Sequence, residues 1–259
     1  MCLLMYTVLK IPFDKCIVDK ERRGAALGPN QIEKEYNDFF EAPKVTWLSA
    51  PISDDFEILH KDLSLIVEKE KPIISLGGDH SVSYGVMKGF SKLHKNPCLL
   101  FFDAHFDAQD DFLPPTHEDI LKAAVKEGFF KPENIFVVGV RNYTGKELAF
   151  IHQNKIKFQF AKDFSAKEII DFAKKYDNIY FNLDIDVIEP AFSPGTGWPE
   201  PLGLNPKDVL DIILQLKDKI KLLDIVEVSP PKDVNNITSR LTARVLTEFL
   251  RNLTGKAFV

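Results

Sequence analysis

The sequence predicts an α/β fold, a three-layer α/β/α sandwich around an eight-stranded, mainly parallel sheet, and three observations support this prediction. Short apolar runs alternate with longer amphipathic stretches, which is the pattern of strands joined by helices. Most of the short runs are apolar throughout, which indicates strands that are buried on both faces. The chain of 259 residues is 45% hydrophobic and 27% charged. This composition predicts one large domain over residues 1–259.

Eight apolar or β-branched runs are predicted as strands. In chain order they are Leu3–Leu9, Val45–Leu48, Ile73–Leu76, Cys98–Phe102, Ile135–Val140, Ile156–Phe160, Ile179–Leu183 and Leu222–Val228. Longer runs between them predict helices, namely Pro29–Phe40, Asp55–Glu70, Ser81–Leu93, His117–Glu127, Ala166–Lys175, Pro206–Lys217 and Ser239–Leu253. Because helices separate most strands, the sheet should be parallel and covered on both faces.

Charge and hydropathy exclude several functional classes. A net charge of −5 without a basic stripe argues against nucleic acid as a partner. No run approaches the roughly 18 apolar residues of a membrane-spanning helix, and the first residues lack the pattern of a signal peptide. Three cysteines without CxxC spacing indicate free thiols in a reducing compartment. We therefore expect a cytoplasmic protein that binds neither nucleic acid nor a membrane.

Polar clusters follow three of the predicted strands and a fourth lies near the end of the last strand, at the ends where open parallel sheets bind ligands. They are Gly77–Ser81, Asp103–Asp107, Asp184–Asp186, and the pair Asp224 and Glu227. Each cluster alone has an ordinary explanation, such as a helix cap, a core histidine or an exposed turn. Together they would collect carboxylates and imidazoles at one edge of the sheet, which favours a functional site.

The candidate metal ligands are two histidines and four aspartates: His80, Asp103, His105, Asp107, Asp184 and Asp186. Crowded carboxylates repel one another unless cations neutralise them. Two divalent ions bring four positive charges, which match the four aspartates. Oxygen-rich ligation with a minority of imidazole and no cysteine favours Mn²⁺ over Zn²⁺. The cluster therefore predicts two Mn²⁺ per subunit, which would lower the pKa of a shared water.

These motifs resemble the ureohydrolase family, which contains arginase, agmatinase and formiminoglutamase. The matching segments span nearly the whole chain, at residues 23–29, 77–81, 103–107, 184–190, 194–197 and 224–230. The resemblance implies an arginase-like fold, the release of urea and an amine from a guanidino substrate, and a homotrimer or homohexamer. It also implies that His80 and Asp107 bind one Mn²⁺, that His105 and Asp186 bind the other, and that Asp103 and Asp184 bridge both.

The same resemblance implies the catalytic roles. Glu227 would bind the guanidinium, with Asp224 as a supporting group, and Asp107 would hold the attacking hydroxide and pass its proton to the leaving amine. His117 is the candidate for the proton-shuttling histidine and a substrate contact. It lies slightly earlier in the chain than the family's histidine and is followed by Glu118 instead of glycine. The alternative to the shuttling role is therefore an ordinary residue at the start of a helix.

Agmatine is the favoured substrate. The loop Gly197–Pro201 resembles the agmatinase form, and the stretch after Asp107 lacks the asparagine-containing segment of arginases. The acidic pair Asp110 and Asp111 would repel an α-carboxylate, although a solvated surface turn is an equal alternative. Three residues depart from the family pattern: Glu189, Trp198 and Leu202. Trp198 is a candidate substrate contact that either stacks on a cationic substrate or simply packs.

Two other functions remain open from the sequence. The same chemistry would serve arginase or guanidinobutyrase activity, and a catalytically weak binding or assembly subunit is the alternative of another class. Intact candidate ligands together with Glu227 argue against such a subunit. A dinucleotide-binding dehydrogenase is disfavoured because no GxGxxG motif follows a strand. His60, His94 and His152 are expected at the surface, and Arg141 has no role that the sequence alone explains.

Overall fold

The computed structural model describes residues 6–253, which form one sheet between two layers of helices. The strands are β1 Tyr6–Ile11, β2 Val45–Ser49, β3 Ile74–Gly77, β4 Cys98–Phe102, β5 Ile135–Val140, β6 Lys157–Phe160, β7 Ile179–Asp184 and β8 Ile220–Val226. The α-helices are α1 Gly28–Asn37, α2 Phe56–Glu70, α3 Val82–Leu93, α4 Ile120–Lys126, α5 Gly145–Gln153, α6 Ala166–Ala173, α7 Pro206–Leu216 and α8 Ile237–Leu253.

The eight strands pair in the order β2-β1-β3-β8-β7-β4-β5-β6, and every pairing is parallel. The predicted three-layer sandwich is confirmed, and the sheet is wholly parallel where a mainly parallel one was expected. Since all strands run in one direction, their carboxyl ends emerge along a single edge. The four central strands at this edge are β3, β8, β7 and β4, and these are the strands that carry the polar clusters.

Alternate side chains of each strand fill two separate hydrophobic cores. In β4, Leu100 and Phe102 belong to the core under α1, α6, α7 and α8. Leu99 and Phe101 face the opposite core, under α2, α3, α4 and α5. All five residues of β4 are buried. This two-sided burial is the physical reason for the uniformly apolar strand sequences.

Helix α5 was not predicted. Only Glu147 and Ile151 are buried in it, so its apolar periodicity is too weak to identify a helix. A capping box does mark its start, because the Thr144 side chain accepts from the backbone N–H of Glu147 and the Glu147 side chain accepts from that of Thr144. The sequence T-x-x-E was therefore the available signal.

Several predicted boundaries shift by two or three residues. β1 extends to Ile11, and the predicted residues Leu3–Met5 lie outside the described part of the chain. Helix α4 begins at Ile120, so the segment from His117 to Asp119 belongs to the preceding loop. β8 ends at Val226, which places Glu227 in the turn that follows it. Both of the latter shifts move candidate site residues out of regular elements.

His60 is buried, although it was expected at the surface. His60 is only 4% exposed, and its ring centroid lies 4.8 Å from that of Tyr84 on α3. Helices α2 and α3 approach closely here because Gly85 has no side chain, and a Cβ at this position would come within 2.7 Å of the His60 carbonyl oxygen. His152, in contrast, is exposed as expected.

Within residues 6–253, no helix has both the length and the apolar character needed to cross a bilayer. The two described cysteines, Cys16 and Cys98, are buried free thiols.

Candidate metal and substrate site

The turns after the four central strands bring the candidate residues together. His80 lies between β3 and α3, Asp103 directly follows β4, and Asp184 is the last residue of β7. Asp186 lies in the 3-10 turn Ile185–Val187, and Glu227 directly follows β8. Because these strands are adjacent and parallel, their turns meet at one point of the sheet edge.

A close backbone contact positions His80. The backbone N–H of Asp79 donates to the carbonyl oxygen of Phe13 at 2.7 Å, and a Cβ on Gly78 would stand 1.8 Å from that oxygen. Only glycine therefore fits at Gly78. The Asp79 carboxylate accepts from the backbone N–H groups of Cys16 and Ser81, so it stabilises the turn and points away from the cluster.

Two candidate catalytic residues have left-handed backbone conformations, with φ of 46° at Asp107 and 64° at Glu227. For residues other than glycine this conformation costs about 1 to 2 kcal/mol. At Glu227 the surroundings hold it in place, since its N–H donates to the Gly78 carbonyl at 2.8 Å. Its Oε1 in turn accepts from the His80 N–H at 2.8 Å.

Three carboxylates converge on one nitrogen of His80. Its Nδ1 lies 2.8 Å from Oδ2 of Asp107 and 3.3 Å from Oδ2 of both Asp103 and Asp184. Despite these short distances, Nδ1 makes no hydrogen bond of normal geometry. Ligand atoms that surround a common point without bonding to one another fit a cation between them.

A second convergence involves His105. Its Nδ1 lies 3.3 Å from Oδ1 of Asp103 and 3.1 Å from Oδ2 of Asp186. The cluster therefore contains two groups of three residues, and within each group the ligand atoms lie within 4.8 Å of one another. One group is His80, Asp103 and Asp107, and the other is Asp103, His105 and Asp186. Asp103 belongs to both groups, which is the arrangement that a carboxylate bridging two ions requires.

The positive charge within the site is too small to keep all of its carboxyl groups ionised. Burial, together with the charge of Asp103, raises the pKa of Asp107 to about 7. Burial and neighbouring carboxylates also raise the pKa of Asp184 and of Glu227 well above their usual range. Added cations would allow these carboxyl groups to ionise. The donor set of carboxylate oxygens with two imidazoles therefore fits two divalent ions.

The two histidines partly compensate these acids. Burial by itself would lower the pKa of His80, but Asp103, Asp107 and Asp184 outweigh it and raise the pKa well above the usual value. Burial would likewise raise the pKa of Asp103, yet the adjacent imidazoles of His105 and His80 lower it to about 2. The carboxyl group of Asp103 is therefore ionised near neutral pH.

A buried polar network behind His80 was missed by the sequence analysis, which identified only its member Asp224. Oδ2 of Asp224 accepts from Ser83 at 2.6 Å, from Tyr180 at 2.7 Å and from the Asn182 amide at 3.1 Å. Asp224 is fully buried inside β8 and does not line the pocket. The available signal was Asn182, a polar residue in the buried interior of the strand IYFNLD.

Arg141 holds two loops of the site together. Its guanidinium donates to the carbonyl oxygens of Asp186 at 2.5 Å, Glu200 at 2.7 Å and Pro201 at 3.0 Å. It thereby connects the turn after β7 to the loop that contains Trp198. The role of Arg141, which the sequence did not explain, is to position this side of the pocket.

A cavity of about 200 Å³ opens onto the cluster. At its inner end it is lined by His80, His105, Asp107, Asp184, Asp186 and Glu227. Towards solvent it is lined by Gln109, His117, Glu118, Asn142, Tyr143, Thr144, Glu147 and Trp198. His117 and Trp198, the two candidate substrate contacts, therefore both face the pocket.

His117 lies in the turn that leads into α4, two residues before the N-cap Asp119. Burial, together with the charges of His80 and His105, lowers the pKa of His117 to about 4. The imidazole is therefore neutral near pH 7.

Trp198 already contacts two side chains of the chain itself. The Arg22 guanidinium lies 5.0 Å from its ring centroid, and the His117 ring lies 5.4 Å away. These contacts support the interpretation that Trp198 packs, while its edge still lines the cavity. Of the other departures, the Glu189 carboxylate accepts from the Gly203 N–H at 2.7 Å, and Leu202 is largely exposed with φ of 65°.

The acidic pair Asp110 and Asp111 does not select the substrate as the sequence suggested. Both are exposed and neither lines the cavity. Asp110 pairs with Lys146 at 3.2 Å, and Asp111 pairs with Lys126 at 2.6 Å. They form a solvated surface turn, and the interpretation that they repel an α-carboxylate is wrong.

Comparisons with known proteins agree with this geometry. The model of the Arginase family matches residues 5–251. An agmatinase from Neisseria meningitidis is 28% identical over 268 residues, covering 95% of this chain and 86% of that protein. A human mitochondrial guanidino acid hydrolase is 31% identical over 188 residues, covering 68% and 53%. The structure of the agmatine ureohydrolase of Thermoplasma volcanium is similar with a TM-score of 0.85 at 28% identity, covering 95% and 89%.

Proposed function

The chain belongs to the arginase family, and from this premise we propose that it hydrolyses a guanidino compound, with agmatine as the favoured substrate, to urea and an amine. The observation that carries the proposal is the cluster of two histidines and four aspartates at the inner end of one cavity, with Glu227 beside it. Its reaction class would be hydrolysis of a C–N bond in a linear amidine.

We propose two Mn²⁺ as the cofactor. His80, Asp103 and Asp107 would hold one ion and Asp103, His105 and Asp186 the other, with Asp184, which lies 3.3 Å from His80 Nδ1, as a further ligand. Bound there, the ions would supply a water that loses its proton near neutral pH. The chemistry of the donors supports this assignment, since carboxylate oxygens dominate and the described cysteines lie outside both groups.

Glu227 is proposed to orient the guanidinium. Its Oε1 is held by the His80 N–H, while its buried Oε2 has no hydrogen-bond partner among the described residues. A buried carboxylate oxygen without a partner is costly, and a guanidinium N–H would satisfy it. A planar cation held in this way presents its central carbon in a fixed orientation to an attacking water.

Proton transfer is proposed for two residues. Asp107, at the inner end of the cavity, would hold the attacking hydroxide and pass its proton to the leaving amine. His117, which lines the same cavity, would exchange protons with solvent. Both roles depend on the position of the residue in the pocket and on its ability to change protonation.

Agmatine is favoured because an agmatinase and an agmatine ureohydrolase are among the relatives that match nearly the whole chain. The human guanidino acid hydrolase keeps the second candidate open, which is a guanidino acid such as guanidinobutyrate. Arginine is the third. A catalytically weak binding or assembly subunit remains the alternative of another class. The homotrimer or homohexamer and the cytoplasmic location stay predictions.

The test is urea release by Mn²⁺-loaded protein with agmatine, guanidinobutyrate, guanidinopropionate and arginine as substrates. We expect the highest kcat/KM with agmatine. The Glu227→Gln variant serves as the control for contaminating activity. Protein that binds two Mn²⁺ yet releases no urea from any of these compounds would support the subunit alternative instead.

A further inference from the structure

The solvent-facing end of the cavity carries negative charge. Two carboxylates beyond the metal cluster line it, Glu118 and Glu147, and none of the described residues that line the cavity is a lysine or an arginine. The two acids differ in what they already bind. This difference identifies which of them is available to a ligand.

Glu147 is committed to the structure of its own loop. Its side chain accepts from the Thr144 N–H at 2.8 Å and from the Gln109 amide at 3.1 Å, and the residue is 2% exposed. These contacts build the capping box of α5. Its charge contributes to the field in the cavity, but its oxygen atoms are occupied.

Glu118 has no such commitment. Among residues 6–253, the nearest partner of its carboxylate is Nε2 of His117, at 3.9 Å, and this imidazole is neutral near pH 7. The side chain is 52% exposed. Its backbone is held on both sides, since its N–H donates to Thr116 Oγ1 and its carbonyl oxygen accepts from the Gln109 N–H. The loop thus presents an unpaired carboxylate at the mouth of the cavity.

The neighbourhood of Glu118 favours a cation. Partial burial, with the charges of Asp119 and Glu147, raises the pKa of Glu118, because ionising it adds negative charge to an acidic site. An ammonium group would relieve this repulsion. The nearby lysines are committed elsewhere, Lys146 to Asp110, and Lys122 to the Gln109 carbonyl and Asp111.

We infer that Glu118 recognises a second cation on the substrate, so that the site selects guanidino compounds whose far end is an ammonium group. The inference rests on the proposed function, in which Glu227 binds the guanidinium at the inner end of the same cavity. An ammonium at the outer end meets Glu118, whereas a carboxylate there meets two acids and no basic side chain of the lining.

Arg22 is the basic group that would favour a carboxylate instead. It lies over Trp198 but does not line the cavity, and its guanidinium donates to the Gly197 carbonyl at 3.1 Å and lies 3.5 Å from Asp19. These contacts leave Arg22 behind the indole. Glu118 lines the cavity and Arg22 does not, so Glu118 is the one of the two that a bound substrate can contact.

The experiment compares three ligands that differ at the far end: agmatine with an ammonium, butylguanidine with a methyl, and guanidinobutyrate with a carboxylate. Wild-type protein, Glu118→Gln, Glu118→Lys and the control Asp110→Asn are loaded with Mn²⁺ and assayed for urea release. Asp110 lies on the same loop and carries the same charge but is exposed outside the cavity. Each protein is also titrated calorimetrically with the three ligands, so that binding is measured independently of turnover.

We expect Glu118→Gln to lower the agmatine-to-butylguanidine ratio of kcat/KM by about fivefold, mainly through KM, as for a half-exposed charge pair. Glu118→Lys should shift preference towards guanidinobutyrate, and Asp110→Asn should keep the wild-type ratio. An unchanged ratio in Glu118→Gln, or a wild-type preference for guanidinobutyrate, would overturn the inference. If wild-type protein released no urea, the proposed function would be contradicted instead. The agmatine-to-butylguanidine ratio of the binding constants measured by calorimetry would then decide the role of Glu118.

Discussion

Nε2 of His80 lies 2.9 Å from Oδ1 of Asn182, and this contact determines which nitrogen of the imidazole is free. The amide is oriented by Asp224, because the Asn182 Nδ2 donates to the Asp224 carboxylate at 3.1 Å. Oδ1 must therefore accept, so Nε2 of His80 carries a proton. The other nitrogen, Nδ1, faces the three converging carboxylates. The network behind the site thus prepares Nδ1 as a ligand atom.

We predict that Asn182→Leu weakens Mn²⁺ binding by about tenfold or more. Loss of a residue that hydrogen-bonds to a metal-binding histidine commonly has an effect of this size. Leucine has a similar volume but cannot accept from Nε2, so the imidazole is no longer held in one tautomer. Titration calorimetry of metal-free protein with Mn²⁺ measures the effect. Tyr180→Phe removes one donor to Asp224 without touching His80 and should change the affinity less. Equal effects of the two variants would contradict the role of Asn182.

We predict that His105→Ala reduces bound Mn²⁺ from two ions to one per chain. His105 belongs to only one of the two ligand groups, so the group of His80, Asp103 and Asp107 should remain. The lost ion should also reduce the increase in Tm on adding Mn²⁺, because a ligand stabilises only the folded state that binds it. Metal analysis after dialysis measures the stoichiometry. The control is His152→Ala on the exposed surface of α5, and two ions still bound to His105→Ala would show the assignment to be wrong.

Glu227→Gln should lower kcat/KM for the best guanidino substrate by about 100-fold, since a charged hydrogen bond to the guanidinium becomes a neutral one. Steady-state urea release measures this. The Mn²⁺ content should not change, because Glu227 belongs to neither ligand group. A variant that lost an ion would identify Glu227 as a ligand, and one with wild-type kcat/KM would refute its role in guanidinium binding.

His60 should make the folded state sensitive to acid. Burial lowers the pKa of His60 from 6.5 to about 4, so the folded protein holds this imidazole neutral while the unfolded chain protonates it. Its stabilising contribution is complete above about pH 6.5 and declines as the pH falls towards about 4, by up to about 3 kcal/mol. The free energy of unfolding in urea, measured for metal-free protein across this range, checks the prediction.

The variant His60→Asn should lose part of this pH dependence, because asparagine does not titrate in either state. His152→Asn is the matched control, since that histidine is exposed. If the free energies of unfolding of His60→Asn and wild-type protein declined in parallel between about pH 6.5 and about pH 4, another group would be responsible for the decline.

The strands show which parts of the structure local sequence can predict. The run Cys98–Phe102 was predicted with its observed bounds, because its burial on both faces demands five consecutive apolar residues. Helix α5 was missed for the opposite reason, since a short helix with two buried residues has little periodicity to detect. The side chains of Asp110 and Asp111 were placed wrongly because they lie on a loop. Charge is visible in a sequence, but the direction in which a loop side chain points is not.

The sequence by itself determined the fold class and the candidate ligands, because parallel strands place their carboxyl ends at one edge and the polar residues directly follow those ends. The tertiary structure decided which acid faces the pocket, Glu118 instead of Asp110, and which polar groups support His80. These outcomes depend on contacts between residues far apart in the chain, such as Asn182 with Asp224 across β7 and β8 and Arg141 with the loop at Glu200. Such pairs share no local pattern, and only the packing of the sheet and its loops brings them together.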